Sequence, residues 1–407
     1  MAGHQAAYGD RLLKWPFPVR YGSENAVEAD VLVIGGGLSG SYAAISAAEK
    51  GLKVAVVDKA NLEISGNAGS GIDHWLDAMA NPCSKITPEE RAETGYRLGG
   101  SRTFGHVHYI GFKESWDALL DAEEWGLEFR DVNDEFAGAP FRDDETKLMF
   151  AYDYENRYSI RLRDGFNLKR VLFKRMKELG IKMYPYIKVT ALLTEDGRQG
   201  ARVVGAVGVG TRTGDFHIFK AKASVLTTGN ASRLWIYNYD MQGSCSEFSD
   251  PNCVGDGFAM AWNAGAEFTC MYVNGNLWGG GAFAYPAYGC GNSKNTWFPC
   301  SLVDASGKEV PWFDVEGKPV TKVEDRGFLP PGYKYFSGTQ KEATTLAPDL
   351  PDRIRKGEFH LPLYADLPGM PEYERRAIWG LMVGNEGKTR TPIYNLYSQW
   401  GFDPTKD

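Results

Sequence analysis

An α/β fold built on a parallel sheet, joined to a smaller α+β part, is what this 407-residue sequence predicts. Three observations carry that prediction. Residues 30–34 are an apolar run that breaks into Gly35-Gly-Gly-Leu-Ser-Gly40 and then into an alanine-rich helical stretch. A second apolar run, residues 53–57, follows after Gly51, so the three pieces make a βαβ unit, the signature of a parallel sheet covered by helices. After about residue 267 the composition shifts to glycine, aromatic and proline residues, which marks a different domain.

Taken in order, residues 1–28 form an arm containing Trp15-Pro-Phe-Pro18, with neither helical nor strand period. Strand 30–34, helix 39–50 and strand 53–57 open the first domain, residues 29–267. Thr87 is placed as an N-cap, with Pro88 at the first helical position and Glu89 and Glu90 in the first turn, for a helix running to about residue 98. Further helices are predicted over residues 113–125, stopped by Gly126, and 167–179, stopped by Gly180. The second of these sets Val171, Leu172, Met176 and Leu179 near one face. Together these helices read as an insertion, about residues 85–180, between parts of one sheet. Alternating segments 188–194, 202–211 and 215–220, separated by glycine turns, predict a three-stranded β-meander. An apolar strand over residues 223–230, ending on Gly229, and a turn and helix over residues 255–266 complete the domain. Residues 268–407 form the second one.

The balance of the sequence narrows the partners. The net charge is −7, with no long run of Lys or Arg, which disfavours a phosphate backbone, so nucleic acid is not an expected partner. No segment approaches eighteen consecutive apolar residues and the first residues lack a signal-peptide core. A cytoplasmic protein is expected, with any membrane contact made through a partner. Cys83, Cys245, Cys253, Cys270, Cys290 and Cys300 never form a C-x-x-C pair, so no iron–sulfur cluster or zinc knuckle is written in this chain and six reduced thiols are expected.

Gly35, Gly37 and Gly40 give G-x-G-x-x-G between a strand and a helix, the arrangement that brings backbone to a pyrophosphate at a helix N-terminus. Asp58 closes the next strand, where an acid accepts hydrogen bonds from an adenosine ribose. The fold is therefore Rossmann-like. This unit alone leaves NAD and FAD both open.

The segments Gly35-Gly-Gly-Leu-Ser-Gly40, Val57-Asp-Lys59, Ser65-Gly-Asn-Ala-Gly-Ser-Gly71, Thr227-Thr-Gly-Asn-Ala-Ser-Arg233 and Gly255-Asp-Gly257, in this order, decide between them. Over residues 28–266 the sequence resembles the flavoprotein subunits of the fumarate reductase, succinate dehydrogenase and adenylylsulfate reductase superfamily, closest to the adenylylsulfate reductase branch. The resemblance implies an FAD-binding domain and a smaller α+β capping domain. It implies cofactor contacts from Gly35, Gly37, Leu38, Ser39, Gly40, Asp58 and Lys59. It extends them to Ser65, Gly66, Asn67, Gly69, Ser70 and Gly71, whose loop would run along the pyrophosphate and flavin ring, to backbone near Val189, and to Thr227, Thr228, Gly229, Arg233 and Asp256. Succinate dehydrogenases carry a histidine in the loop matching residues 65–71 that bonds covalently to the flavin; here there is none, so non-covalent FAD is expected.

The reaction is read less directly. A flavin supplies hydride chemistry, and the protein must add orientation and a proton donor. The His-Pro-Thr segment of fumarate reductases has no counterpart in residues 267–278, and no arginine stands between Ala266 and Ala305. That argues against a dicarboxylate, which calls for bidentate cations. Tyr272, Trp278, Phe283, Tyr285, Tyr288, Trp297 and Phe298 suit a planar or apolar substrate, and suit a domain core or subunit interface equally. His74, in Asp73-His74-Trp75 after the flavin loop, is the leading proton-transfer residue, beside the reading of a structural histidine. Arg390 is the next cation expected in the cleft. His106 and His108, two apart on an extended segment, would share a face able to hold a metal, against which a packing or solvent role is preferred and no metal site is assigned. The superfamily's late strand and Gly-Asp turn, which close over the flavin, are not found after Asp366. The resemblance thus implies a remainder in a longer chain or a second polypeptide, and an iron–sulfur or ferredoxin-like partner for electrons. The expected function is two-electron reduction or oxidation of an organic substrate, foremost an activated C=C bond on an aromatic or apolar acid. A self-contained flavin dehydrogenase or oxidase, and a non-catalytic paralogue kept for assembly, are the alternatives.

Overall fold

The structure, a computed structural model, describes residues 22–69, 71–98, 105–151, 154–229, 252–269, 301–314, 316–322, 345–366, 368–382 and 397–403. In chain order the elements are β1 (Asn25–Ile34), α1 (Leu38–Glu49), β2 (Val54–Val57), β3 (His74–Trp75), α2 (Pro88–Leu98), α3 (Gly105–Glu124), β4 (Met149–Phe150) and β5 (Ile160–Arg161). There follow α4 (Leu168–Glu178), β6 (Lys182–Tyr184), β7 (Ile187–Thr194), β8 (Val203–Gly210), β9 (Phe216–Leu226) and α5 (Asp256–Ala264). The last elements are β10 (Ser301–Val303), β11 (Trp312–Phe313), β12 (Pro319–Val320), β13 (Thr345–Leu346), α6 (Leu350–Arg355), β14 (Tyr364–Asp366) and α7 (Glu372–Arg375). The chain divides into two compact units: Met1–Leu62 with Met176–Gly229 and Gly255–Phe268, and Glu63–Arg175 with Asn230–Val254 and Thr269–Asp407.

The first unit is a six-stranded sheet in the order β6-β2-β1-β9-β8-β7. Strands β6, β2, β1 and β9 run parallel, and β9, β8 and β7 pair antiparallel in succession. All four residues of β2, Val-Ala-Val-Val, are buried, as expected for a strand covered on both faces. One face of the sheet is a core of Leu32, Ile34, Ala55, Val57, Ile187, Val189, Ala206 and Phe219 under Met260 of α5. Each such large aliphatic side chain contributes roughly 1.5–3 kcal/mol by leaving water.

Three strands differ from the sequence expectation, each for a pairing reason. β1 begins at Asn25, because residues 25–29 already pair with His217–Ala221 of β9. Residues 215–220 and 223–226, read as separate strands, are one strand, since β9 pairs with β1 along its whole length while only its first half also meets β8. β6 was not foreseen; it extends the parallel sheet beyond β2 through Ala55↔Lys182 to Val57↔Tyr184.

In the second unit, α2 opens as the sequence predicts. The Glu90 N–H donates to Thr87 Oγ1 at 3.1 Å and the Thr87 N–H donates to Glu90 Oε2 at 2.9 Å, a reciprocal cap for two end donors. α3 starts at Gly105, eight residues before the expected Lys113, and so contains His106 and His108. Two residues apart on a helix are about 200° apart around its axis, so these histidines do not share a face as they would on an extended segment. Among the described residues no group of three His, Cys, Asp or Glu is placed to hold a metal ion. The segment read as a helical insertion also holds a small sheet, β3-β5-β4. Phe136, Phe141, Met149 and Ala377 form one core of this unit, and Leu302, Val310, Ala347, Leu350 and Phe359 another, beside the pair β10-β14 and the three strands β12-β11-β13. No helix among the described residues is long and apolar enough to cross a membrane.

Candidate functional site

In the first unit the carboxyl ends of β2, β1 and β9 meet at one point. The Gly35 N–H donates to Val57 O at 2.8 Å, and the Thr227 N–H donates to Ile34 O at 2.9 Å. Thr227 Oγ1 donates to Gly35 O at 2.6 Å, tying the end of β9 to the glycine turn. A crevice outside the carboxyl ends of parallel strands, where the connections diverge, is where open α/β sheets bind ligands.

The glycines are needed for different reasons. Gly35 has φ +103°, and a Cβ there would lie 2.4 Å from Thr227 O. A Cβ on Gly40 would lie 1.9 Å from Gly35 O, so α1 leaves the turn closely only from glycine. Gly37 has an ordinary φ of −65°, and a Cβ on it would meet nothing within 4 Å. The protein's own packing does not demand glycine there. α1 has no side-chain cap and no acid in its first turn, which leaves its positive end for an anion.

Around this turn the predicted residues take defined places. Asp58 accepts from the Gly36 N–H at 2.7 Å and from the Ala60 N–H at 2.8 Å, which fixes its carboxylate at the end of β2. Lys59 and Lys188 both pair with Asp256, at 2.7 and 3.2 Å, at the start of α5. Burial opposes ionisation of Asp256, but the two ammonium groups outweigh it and hold the carboxyl below its ordinary range. Gly257 is a close-packing position, where a Cβ would lie 1.9 Å from Thr228 Oγ1. The side chain of Val189 belongs to the sheet core, with a bulge between Val189 and Ala191.

In the second unit, the loop of residues 64–69 folds tightly on itself. A Cβ on Gly69 would stand 2.3 Å from Ile64 O, and the buried Ser65 Oγ has no hydrogen-bond partner among the described residues. An orphaned hydroxyl in a small-residue loop fits a loop that lies against a bound group. Asn67 accepts from Cys253 Sγ at 3.5 Å. Farther along, His74 Nδ1 pairs with Asp73. His74 lies in β3 directly opposite Arg161 of β5.

Arg161 is the residue the sequence did not single out. Its Nη2 donates to Glu374 Oε2 at 3.0 Å and to the Tyr154 hydroxyl at 2.9 Å, and Tyr154 donates to the other oxygen of Glu374. The signal was present as a lone arginine in the apolar-flanked Ser159-Ile-Arg-Leu162. Its partner, more than two hundred residues later, was not legible. Ser70, Arg233, Arg390 and the aromatic series Tyr272 to Phe298 lie outside the described residues.

In the first unit, a glycine turn at the strand ends, an uncapped helix start and a fixed acid on the second strand define a dinucleotide-binding domain, and the residues present fit FAD. The chain belongs to the FAD binding domain family, whose model matches residues 30–278, more than half of the sequence. It is 29% identical over 246 residues to a component of the fumarate reductase (CoM/CoB) of Methanothermobacter marburgensis, covering 60% of this chain and 41% of that one. It is 27% identical over 261 residues to an L-aspartate oxidase of Pseudomonas aeruginosa, covering 60% and 45%. The solved adenylylsulfate reductase of Archaeoglobus fulgidus superposes with a TM-score of 0.60 at 20% identity, covering 96% of this chain and 60% of that one, a likeness of fold. The chain thus spans less than half the length of these two curated relatives.

Proposed function

We propose that this chain is the flavoprotein part of an oxidoreductase that uses non-covalent FAD to move two electrons to or from an organic acid, foremost by reducing an activated C=C bond. The observation that carries the reading is Gly37: the one glycine of its turn whose side-chain position opens onto space rather than onto protein. FAD, when bound, supplies hydride transfer. The turn of residues 35–40 and the start of α1 would hold its pyrophosphate, Asp58 its ribose, and residues 65–71 would lie along it. His74, oriented by Asp73, would hold the proton for the substrate carbon at its second ring nitrogen. Residues 268–407 would form the capping domain over the substrate. With no C-x-x-C pair in the chain, electrons would pass through an iron–sulfur or ferredoxin-like partner in the cytoplasm.

The similarity to an L-aspartate oxidase supports a second reading, a self-contained oxidase. Anaerobic reduction of the holoprotein with dithionite, followed by mixing with oxygen or with unsaturated acids such as cinnamate, separates the two. The first reading predicts rapid reoxidation by an unsaturated acid and slow reoxidation by oxygen. The reverse order, with stoichiometric peroxide, overturns it in favour of the second.

A further inference from the structure

Helix α3 buries Phe112, Trp116, Leu119 and Ala122 and turns the opposite face outward. Along that outer face, at spacings of three and four residues, run Val107, Ile110, Glu114, Asp117 and Asp121, all exposed. The first part of this face is apolar, with Val107 59% and Ile110 50% exposed. Gly111 lies beside them, and a Cβ on it would meet nothing within 4 Å among the described residues. A glycine inside a helix gives up stability relative to alanine, and neither a positive φ nor a packed neighbour among the described residues calls for one here. The charges of α3 are sorted as well. His106, His108 and Lys113 stand in its first half with no acid, and Glu114, Asp117, Asp121, Glu123 and Glu124 stand in its second half with no base. Glu123 is paired with Arg130, and the other four acids are exposed. This order runs against the helix dipole, which favours acids at the start and bases at the end, so it does not serve the isolated helix. It does serve an antiparallel copy of the same helix, whose basic half lies along the acidic half of the first.

We propose that the outer face of α3 is a self-association surface, on which a second copy of this chain packs its own α3 antiparallel across a twofold axis. Such an axis makes one surface its own partner, so the face must be complementary to itself, as the sorted charges are. The helices cross at Gly111, where the missing side chain lets the two backbones approach most closely. Ile110 then meets Ile110 of the second copy, and the basic start of each helix faces Asp117 of the other. Tyr96 of α2, 41% exposed and beside Gly105 at the start of α3, extends the apolar rim. The apolar part of the face is short, so the dimer is a modest one, held in about the micromolar range and weakened by salt. This inference stands apart from the flavin reading, and holds or fails without it.

The test is sedimentation velocity of the purified holoprotein over about 1–100 μM, at about 0.05 and 0.5 M salt, beside its I110E, G111A and D117K variants, with thermal unfolding of each followed by circular dichroism. The wild type is expected to pass from monomer to dimer with concentration and to dissociate about tenfold more readily at the higher salt. I110E should weaken the dimer about a hundredfold, and D117K about tenfold at low salt but little at high salt. G111A separates association from folding: alanine favours the helix, so the melting temperature should hold or rise while the dimer weakens about tenfold. All three positions are exposed, and where one variant fails to fold the other two decide. A wild type that stays monomeric up to about 100 μM, or a dimer that I110E and G111A leave at wild-type affinity, overturns the proposal.

Discussion

Replacing Gly37 with alanine separates what the fold needs from what the ligand needs. The methyl group enters space with no atom within 4 Å, at an ordinary φ of −65°. Removing a glycine restricts the unfolded chain and stabilises by about 0.4–1 kcal/mol, while alanine is the poorer helix cap by about 0.5–1 kcal/mol. Those effects nearly cancel, so G37A should unfold within about 0.5 kcal/mol of the wild type. The ligand fares differently. The methyl sits where backbone must approach a pyrophosphate, and FAD affinity should fall about tenfold to a hundredfold, or 1.4–2.8 kcal/mol. Gly40 is the control, because its Cβ would stand 1.9 Å from Gly35 O and must move the turn itself. G40A should therefore lose both FAD and stability, by about 1–3 kcal/mol. Flavin-fluorescence titration of the apoprotein and urea unfolding followed by circular dichroism give the two readings. Wild-type FAD affinity in G37A would refute the claim that this turn faces the dinucleotide.

Removing the carboxylate in E374A leaves Arg161 charged and buried without its counter-ion, which should lower unfolding free energy by about 3–5 kcal/mol; a loss under about 1 kcal/mol in urea unfolding would show the pair to be solvated. Asp256 titrates below its ordinary range in the folded protein, so its contribution is full above the unfolded value near 4 and is lost as pH falls through the depressed folded value. D256N should accordingly lose about 1 kcal/mol near neutrality and show a flatter acid limb in melting curves from pH 6 to 3, and parallel curves would contradict this. H74A should slow reoxidation of the reduced flavin by an unsaturated acid about a hundredfold while leaving FAD bound, and an unchanged rate in stopped-flow absorbance would remove His74 from proton transfer.

The nucleotide-binding half was legible because its signals are local. An apolar run, a glycine turn and an alanine-rich helix occupy residues 30–50 without a break, and the elements of the structure fall there as β1 and α1. β6 was not legible, since three residues between an amphipathic helix and Pro185 show no period, and only pairing with Ala55–Val57 makes them a strand. The same holds for β3, β4 and β5, two residues each, whose existence depends on mutual pairing. The split of β9 came from Lys220 and Lys222, which reads as a polar break; in the sheet they are the outward residues of one continuous strand. The start of α3 was not legible because the residues it buries begin only at Phe112, while Val107 and Ile110 before it are exposed and form no helical stripe with them. The Arg161–Glu374–Tyr154 cluster joins residues 213 and 220 positions apart, and no local pattern announces a partner at that distance.

The claim that this chain carries non-covalent FAD is tested most directly by purifying the protein from its native host, recording its visible spectrum, and precipitating it with acid. A flavin spectrum and yellow FAD released into the supernatant are expected. A colourless protein, or flavin that stays with the precipitated chain, would contradict it.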